Sequence, residues 1–207
     1  MNDLPSRKQA EQLLIEGSRR NPGGWVSHSR YVAQAAAAIA AAHPTLDEEI
    51  AYLMGLLHDI GRQEGITGIR HIVDGYEFMQ ALGFGAIARI CLTHSFPVAD
   101  HRVASSGWEV CTPAQTAFVA DYLQHIEYDE YDRLLQLCDA LALADGFTLL
   151  EKRMLDVVYR YGPNAFTVAK WRATFALRDQ FEAAIGGSIY RLLPGVVANT
   201  FGFDPCA

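Results

Sequence analysis

The hydrophobic and polar positions repeat with the period of an α-helix along nearly the whole chain. Apolar residues recur at intervals of three and four, and runs that alternate with the period of a β-strand are absent. This pattern and its cap and turn residues predict helices over 6–17, from Ser27 to just before Pro44, from Thr45 or Asp47 to His58, and over 71–83, 85–94, 114–126, 130–143, 148–160 and 165–185. An irregular loop over 95–112 and a loose tail are expected. The sequence therefore predicts an all-α fold.

Length and composition favour one folded domain over residues 1–207. Half of the 207 residues are hydrophobic and 20% are charged, which is ordinary for a globular protein and argues against disorder. The net charge of −7 provides no electrostatic footprint for nucleic acid or an anionic membrane. The apolar segment from Val32 to Ala42 is too short to span a bilayer. We expect neither kind of partner, and the oligomeric state stays open.

The cysteines indicate a reducing compartment. Cys91, Cys111, Cys138 and Cys206 form no CxxC pair, and the first residues are polar rather than signal-like. Cys91 and Cys138 lie inside apolar helical runs, where a thiol behaves as a small core residue. We therefore expect a cytoplasmic protein with unpaired thiols.

The most informative chemistry lies at His58 and Asp59, within the apolar run 53–61. The pair follows an apolar helical stretch and precedes Gly61, so it should emerge at the end of a buried helix. An imidazole and a carboxylate there offer one nitrogen and one oxygen to a divalent cation. Because the dipeptide also occurs by chance, the rest of the chain must supply the other ligands.

Further candidate ligands lie on other predicted helices. His28 is near the start of the helix before the pair, His71 opens the helix after it, and His94 ends the next one. Asp139 has apolar residues on both sides, and burying such a charge is costly unless it is paired or binds a cation. The candidate metal ligands are therefore His28, His58, Asp59, His71, His94 and Asp139.

Other histidines and carboxylates have plainer interpretations. Asp145 competes with Asp139, but its Ala-Asp-Gly context suits a helix end. His43 precedes Pro44 and should end a helix, and His125 is expected to be a surface or hydrogen-bonded histidine.

The order His, His-Asp, His, His, Asp resembles the HD-domain metal-dependent phosphohydrolase superfamily, whose most recognisable stretch corresponds to residues 56–61, Leu-Leu-His-Asp-Ile-Gly. The closer likeness is to the branch with two extra histidines, which includes bacterial symmetrical dinucleoside-tetraphosphate hydrolases. In that branch the third histidine begins a helix His-x-x-x-Gly-Ala, and the fourth closes a helix ending in His-Thr or His-Ser. Here residues 71–76 read His-Ile-Val-Asp-Gly-Tyr, and residues 92–95 read Leu-Thr-His-Ser.

The resemblance covers about residues 24–145 and departs from the family in three places. The loop between Asp59 and His71 is short, the segment between His94 and Asp139 is long, and the chain beyond about residue 146 has no assignable motif. It implies an HD-type helical bundle core with additional C-terminal helices over about 146–207.

The resemblance also implies a dinuclear metal site. His28, His58, Asp59 and Asp139 would hold one divalent ion, and His71 and His94 a second, with Asp59 bridging them. Iron, manganese and zinc accept such mixed ligands. Two such ions would activate a water to cleave a phosphoester or phosphoanhydride of a nucleotide-like or other small phosphorylated substrate.

A phosphorylated substrate also requires positive charge. The candidates are Arg62, Arg70 and Arg102, which flank ligand positions, His101 in the loop after His94, and Lys152 after Asp139. Arg62 is preferred, because it follows the His-Asp pair by only three residues.

Two alternatives stay open. The same ligand set resembles the di-iron site of inositol oxygenase, which implies an oxygenase that acts on a small polyol or phosphonate. A non-catalytic HD-type scaffold is the other alternative, and the complete ligand set argues against it.

Overall fold

The computed structural model describes residues 3–104 and 107–203. Within these ranges the chain forms ten α-helices and no named strand, so the predicted all-α fold is confirmed. The helices are α1 (Arg7–Arg20), α2 (Gly24–Ala42), α3 (Glu48–Leu57), α4 (His71–Ala81), α5 (Gly85–Thr93), α6 (Pro113–His125), α7 (Glu130–Leu141), α8 (Leu150–Tyr161), α9 (Thr167–Ile185) and α10 (Val196–Phe201). Short 3-10 helices lie at Ile60–Glu64, Gly68–Arg70, His101–Val103, Trp108–Val110 and Ile189–Leu192. None of the described helices has the length and apolar composition that crossing a membrane requires.

Two predicted helix boundaries are wrong, and packing explains the first. Helix α1 continues past Gly17 to Arg20, because this glycine serves close packing rather than a helix stop: a Cβ there would lie 3.1 Å from the Trp25 ring. Helix α2 begins at Gly24, and the Ser27 hydroxyl donates to the Gly24 carbonyl within the first turn instead of capping the helix. The tail also differs from the prediction, since it contains the Ile189–Leu192 turn and α10.

Helices α2 and α3 form an antiparallel hairpin with an unusually close contact. A Cβ added at Gly55 would lie only 2.6 Å from the Cα of Ala33. The buried face of α2 is rich in alanine, so no large side chain separates the two backbones. The short connection at residues 43–47, where Asp47 caps α3, places the start of α2 beside the end of α3. His28 and His58 therefore lie at the same end of the hairpin.

A second close contact positions His71. A Cβ at Gly61 would overlap the His71 carbonyl oxygen, and a Cβ at Gly75 would lie 3.0 Å from the Sγ of Cys91. The turn after Asp59 therefore packs directly on the first turn of α4, and α4 packs directly on α5. Only glycine permits these approaches without a shift of the backbone.

The end of α5 is attached to α7 through Asp132. This fully buried carboxylate accepts hydrogen bonds from the Thr93 hydroxyl at 2.7 Å and from the Arg89 Nε at 2.9 Å. The Gln136 amide donates to the Thr93 carbonyl at 3.2 Å. These contacts hold the C-terminal end of α5, where His94 follows, against the helix that carries Asp139.

The C-terminal helices share the core with the earlier ones. Leu150 and Met154 of α8 and Leu177 and Phe181 of α9 belong to the same buried cluster as residues of α2, α3 and α7. Cys91 and Cys138 are fully buried free thiols, as predicted, whereas Cys206 lies outside the described residues. Helices α8 and α9 therefore pack against the helix that carries Asp139.

Candidate metal centre

The six candidate ligands meet at one place in the fold, and most of them lie at helix ends. His28 is in the second turn of α2, His58 and Asp59 follow α3, His71 opens α4, His94 follows α5, and Asp139 is in the last turn of α7. A cavity of about 450 Å³ opens onto five of them, while His58 is fully buried behind it. The fold therefore gathers side chains that lie far apart in the sequence.

Backbone carbonyls orient three of the imidazoles. The Nδ1 atoms of His58, His71 and His94 lie 2.7, 2.6 and 3.0 Å from the carbonyl oxygens of Gly55, Gly68 and Ile90, respectively. A carbonyl accepts only from an N–H, so the proton of each neutral ring is on Nδ1. Each Nε2 then carries a lone pair, which is the arrangement that metal-ligating histidines require.

The Asp59 carboxylate lies between two groups of imidazoles. Its Oδ1 is 3.0 Å from the Nε2 of His71 and 3.6 Å from the Nε2 of His94, and its Oδ2 is 3.8 Å from the Nε2 of His58. One ligand atom from each of His28, His58 and Asp59 lies within 4.8 Å of the others, and the same holds for Asp59, His71 and His94. Asp59 thus belongs to both groups.

Asp139 completes the first group. Its Oδ1 lies 3.0 Å from the Nε2 of His28 and 3.8 Å from the Nε2 of His58. This carboxylate lies in an apolar run of the sequence, and the structure shows which partners offset the cost of its partial burial.

The unpaired atoms of the cluster fit a divalent metal. Among the described residues, the buried His58 Nε2 and Asp59 Oδ1 have no hydrogen-bond partner. A buried polar atom without a partner costs about 1–3 kcal/mol. A cation between these atoms would remove that cost, and imidazole nitrogens with carboxylate oxygens suit iron, manganese or zinc.

The charge states of three members of the cluster also suit a metal. Although burial raises the pKa of Asp59, the Arg62 guanidinium and the nearby imidazoles hold it well below its usual value. Burial likewise opposes ionisation of Asp139, and hydrogen bonding to His28 and His58 brings its pKa well below normal. Burial, reinforced by His58, lowers the pKa of His94 to about 3. Ionised carboxylates and a neutral His94 at pH 7 are the states that metal binding requires.

Residues 25–144, more than half of the chain, match the family model of the HD domain. The chain belongs to the HD domain family. HD domains form a superfamily of metal-dependent phosphohydrolases, and the matched range contains all six candidate ligands. Comparison with curated proteins and with solved structures finds no match.

Arg62 is the one predicted phosphate-binding residue of this HD domain that lines the cavity. Its Nε donates to Asp59 Oδ2 at 2.5 Å, and its Nη2 lies 3.4 Å from the Nε2 of His71. The side chain is 37% exposed, so the guanidinium reaches from the cluster of candidate ligands toward the opening.

The other four predicted phosphate-binding residues do not line this cavity. Their side chains make other contacts. Arg70 pairs with Asp74, and Arg102 pairs with Asp100 and lies over the Phe166 ring. The His101 ring packs against Trp108, and the Lys152 ammonium donates to the carbonyls of Asn199 and Thr200. They were predicted from their position along the chain relative to candidate ligands. Only Arg70 is adjacent to one, and a side chain one position along a helix points in a different direction. The exposed Asp145 also lies outside this cavity.

Residues of α8 and α9 that line the cavity were not among the predicted site residues. Arg153, Arg160 and Tyr161 of α8 and Lys170 of α9 all line the cavity. A signal was present, because Arg153, Arg160 and Tyr161 recur at helical spacing on one face of α8. Lys152, which was selected instead, is adjacent to that face and reaches a second, neighbouring cavity.

Proposed function

We propose that this HD domain is a hydrolase that holds two divalent ions and cleaves a phosphoester or phosphoanhydride bond of a small phosphorylated substrate. The observation that supports it best is the Asp59 carboxylate, which two groups of imidazoles share. When bound, paired divalent ions supply an activated water and neutralise charge on phosphoryl oxygens.

The proposed ligands divide into two sets. His28, His58, Asp59 and Asp139 would hold the first ion. His71 and His94 would hold the second, with Asp59 shared between both ions. Iron, manganese or zinc fits this set of nitrogen and oxygen donors.

Arg62 is the proposed phosphate-binding residue beside the ions. The guanidinium lies against Asp59 and His71 and stays partly exposed to the cavity. Its planar fork of N–H donors matches two oxygens of a phosphoryl group, and its charge persists at every physiological pH. Arg62 would therefore orient a phosphoryl group at the cluster and stabilise negative charge that develops on its oxygens.

Burial of the cluster would limit the competition of water for its hydrogen bonds. His58, Asp59, His71 and His94 are each no more than 3% exposed. In such a site the hydrogen bonds to a phosphoryl group are stronger than in bulk water. The substrate would approach from the side on which Arg62 and the C-terminal helices line the opening.

An oxygen-controlled substrate screen tests this function. Protein purified without oxygen is loaded with manganese or with iron and incubated with phosphorylated metabolites, with and without oxygen. We expect phosphate release from the manganese form in the absence of oxygen. Turnover only by the iron form, with oxygen consumption, would establish the oxygenase alternative, and metal-loaded protein inert toward every compound would favour the scaffold. Asp59→Asn serves as the matched inactive control.

A further inference from the structure

Three cations of the C-terminal helices line the same cavity as the candidate metal ligands. We call Arg153, Arg160 and Lys170 the cationic wall. Arg153 and Arg160 lie on α8 and Lys170 lies on α9, outside the residues that match the HD domain. The wall is therefore a feature of this chain rather than of the matched family region.

Lys170 has an environment that suits an anionic ligand. The side chain is partly buried, and within the described part of the chain its ammonium has no hydrogen-bond or ion-pair partner. Burial lowers its pKa, Asp139 raises it, and Arg153 lowers it further. Partial desolvation of an ammonium makes its charged form costly, and an anion in the cavity would offset that cost.

The two arginines of the wall share one carboxylate. Asp156 Oδ2 lies 2.7 Å from the Nη2 of Arg160 and 3.6 Å from the Nη1 of Arg153. One negative charge between two guanidinium groups leaves an excess of positive charge on this side of the cavity.

The cavity as a whole has more positive than negative side chains. Arg62 and the three wall residues contribute cations, whereas Asp59 and Asp139 contribute the carboxylates. Divalent ions at the cluster would add further positive charge. One phosphate at the candidate metal centre would contact the ions and Arg62, and the wall would still have more positive charge than Asp156 offsets.

A second cavity of about 500 Å³ adjoins the first. Both cavities are lined by Leu143, Ala144, Arg153 and Arg160. The arginines of the wall therefore lie where the two spaces meet. A molecule longer than a simple monophosphate can extend past them without leaving the protein surface.

We infer that Arg153, Arg160 and Lys170 form a second anion subsite, which binds a phosphate group of the substrate other than the one that reacts. The inference rests on the proposed function for the reacting phosphate. The substrate class becomes compounds with two or more phosphates, in a chain or at separate positions, rather than simple phosphate monoesters. A charged hydrogen bond to each phosphate supplies the selectivity.

Adenosine 5′-monophosphate and adenosine 5′-triphosphate serve as probes with one and three phosphates. Their Kd values for the metal-loaded full chain are measured by equilibrium dialysis at 4 °C, and metal content is measured afterwards. If the triphosphate is turned over, its β,γ-methylene analogue replaces it. We expect the triphosphate to bind at least tenfold more tightly, and Lys170→Gln or Arg153→Gln to reduce that preference about tenfold. Lys170→Arg should retain it.

Arg172→Gln is the matched control. Arg172 is exposed on the same helix as Lys170 and lines neither cavity, so this variant changes the net charge equally without changing the wall. Should Lys170→Gln fail to fold, Arg160→Gln replaces it, since the Arg160 side chain is 41% exposed. Unchanged preference in the wall variants would overturn the subsite, even if the protein hydrolyses phosphate esters. A preference that depends on the wall in a protein without hydrolytic activity would support the subsite and reject the proposed function.

Discussion

The Nε2 of His28 lies 3.0 Å from the Oδ1 of Asp139, although 111 positions separate the two residues in the chain. The contact joins the second turn of α2 to the last turn of α7. Both side chains are partly exposed to the cavity, whereas the cluster behind them is buried. This pair therefore forms the accessible side of the proposed first metal position.

Asp139→Ala is expected to remove one of the two ions. It deletes a ligand of the first ion and leaves Asp59, His71 and His94 in place. Elemental analysis should show the metal content per chain falling from about two to about one. Asp145→Ala removes an exposed carboxylate and should change nothing. Unchanged stoichiometry in Asp139→Ala would show that this residue is not a ligand.

Asp59→Ala should remove both ions. Its carboxylate is the one member common to both groups of ligands, so each group loses an oxygen donor at once. Metal content should approach zero while circular dichroism reports an intact helical fold. Retention of two ions per chain would show that Asp59 does not bridge them.

The double variant His71→Ala, His94→Ala should bind half as much metal as the wild type. These imidazoles contact Asp59 Oδ1, whereas His28, His58 and Asp139 remain available. Both rings are buried, so the thermal midpoint is measured alongside the metal content. If wild type and variant each bind one ion, the site is mononuclear.

Acid should destabilise the metal-free protein partly through His94. Its pKa is about 3 in the folded state against about 6.5 in an unfolded chain, so the unfolded state binds more protons between these values. The contribution of His94 is complete above pH 6.5 and is lost as the pH falls toward 3, with a slope of at most about 1.4 kcal/mol per pH unit. Urea titrations should show a shallower pH dependence for His94→Gln. Equal slopes for both proteins would contradict the assigned pKa.

Gly55→Ala should destabilise the hairpin of α2 and α3. The added Cβ would lie 2.6 Å from the Cα of Ala33, so the helices must separate. Overpacking of this kind costs about 1–3 kcal/mol of unfolding free energy, measured by urea denaturation. Gly187→Ala is the matched control, because a Cβ there meets nothing within 4 Å and its φ is not positive. Equal stability of the two variants would show that the close contact is not needed.

The helical class of the fold could be predicted from the sequence, but two helix boundaries, at Gly17 and Ser27, could not. Periodicity reports which residues share a helix face, and each helix that it predicted, α1 to α9, is present, whereas α10 was not predicted. The predictions at Gly17 and Ser27 were wrong because tertiary structure outweighed local preference. Gly17 packs against Trp25 instead of ending α1, and α2 begins before Ser27, so Ser27 does not cap it. Local propensity is worth only about 1 kcal/mol per residue, which tertiary contacts easily outweigh.

The identity of the candidate ligands could be read from sequence because metal chemistry depends on side-chain type and each ligand lies near a helix end. The sequence alone therefore determined the all-α class and the six histidines and aspartates that the fold brings together. Only the tertiary structure decided which cations accompany them. Arg70 and Arg102 lie close to ligands in sequence but pair with nearby carboxylates, whereas Arg153, Arg160 and Lys170 reach the cavity from helices with no recognised motif. The direction of a side chain depends on how its helix packs, and packing joins residues that the sequence keeps far apart.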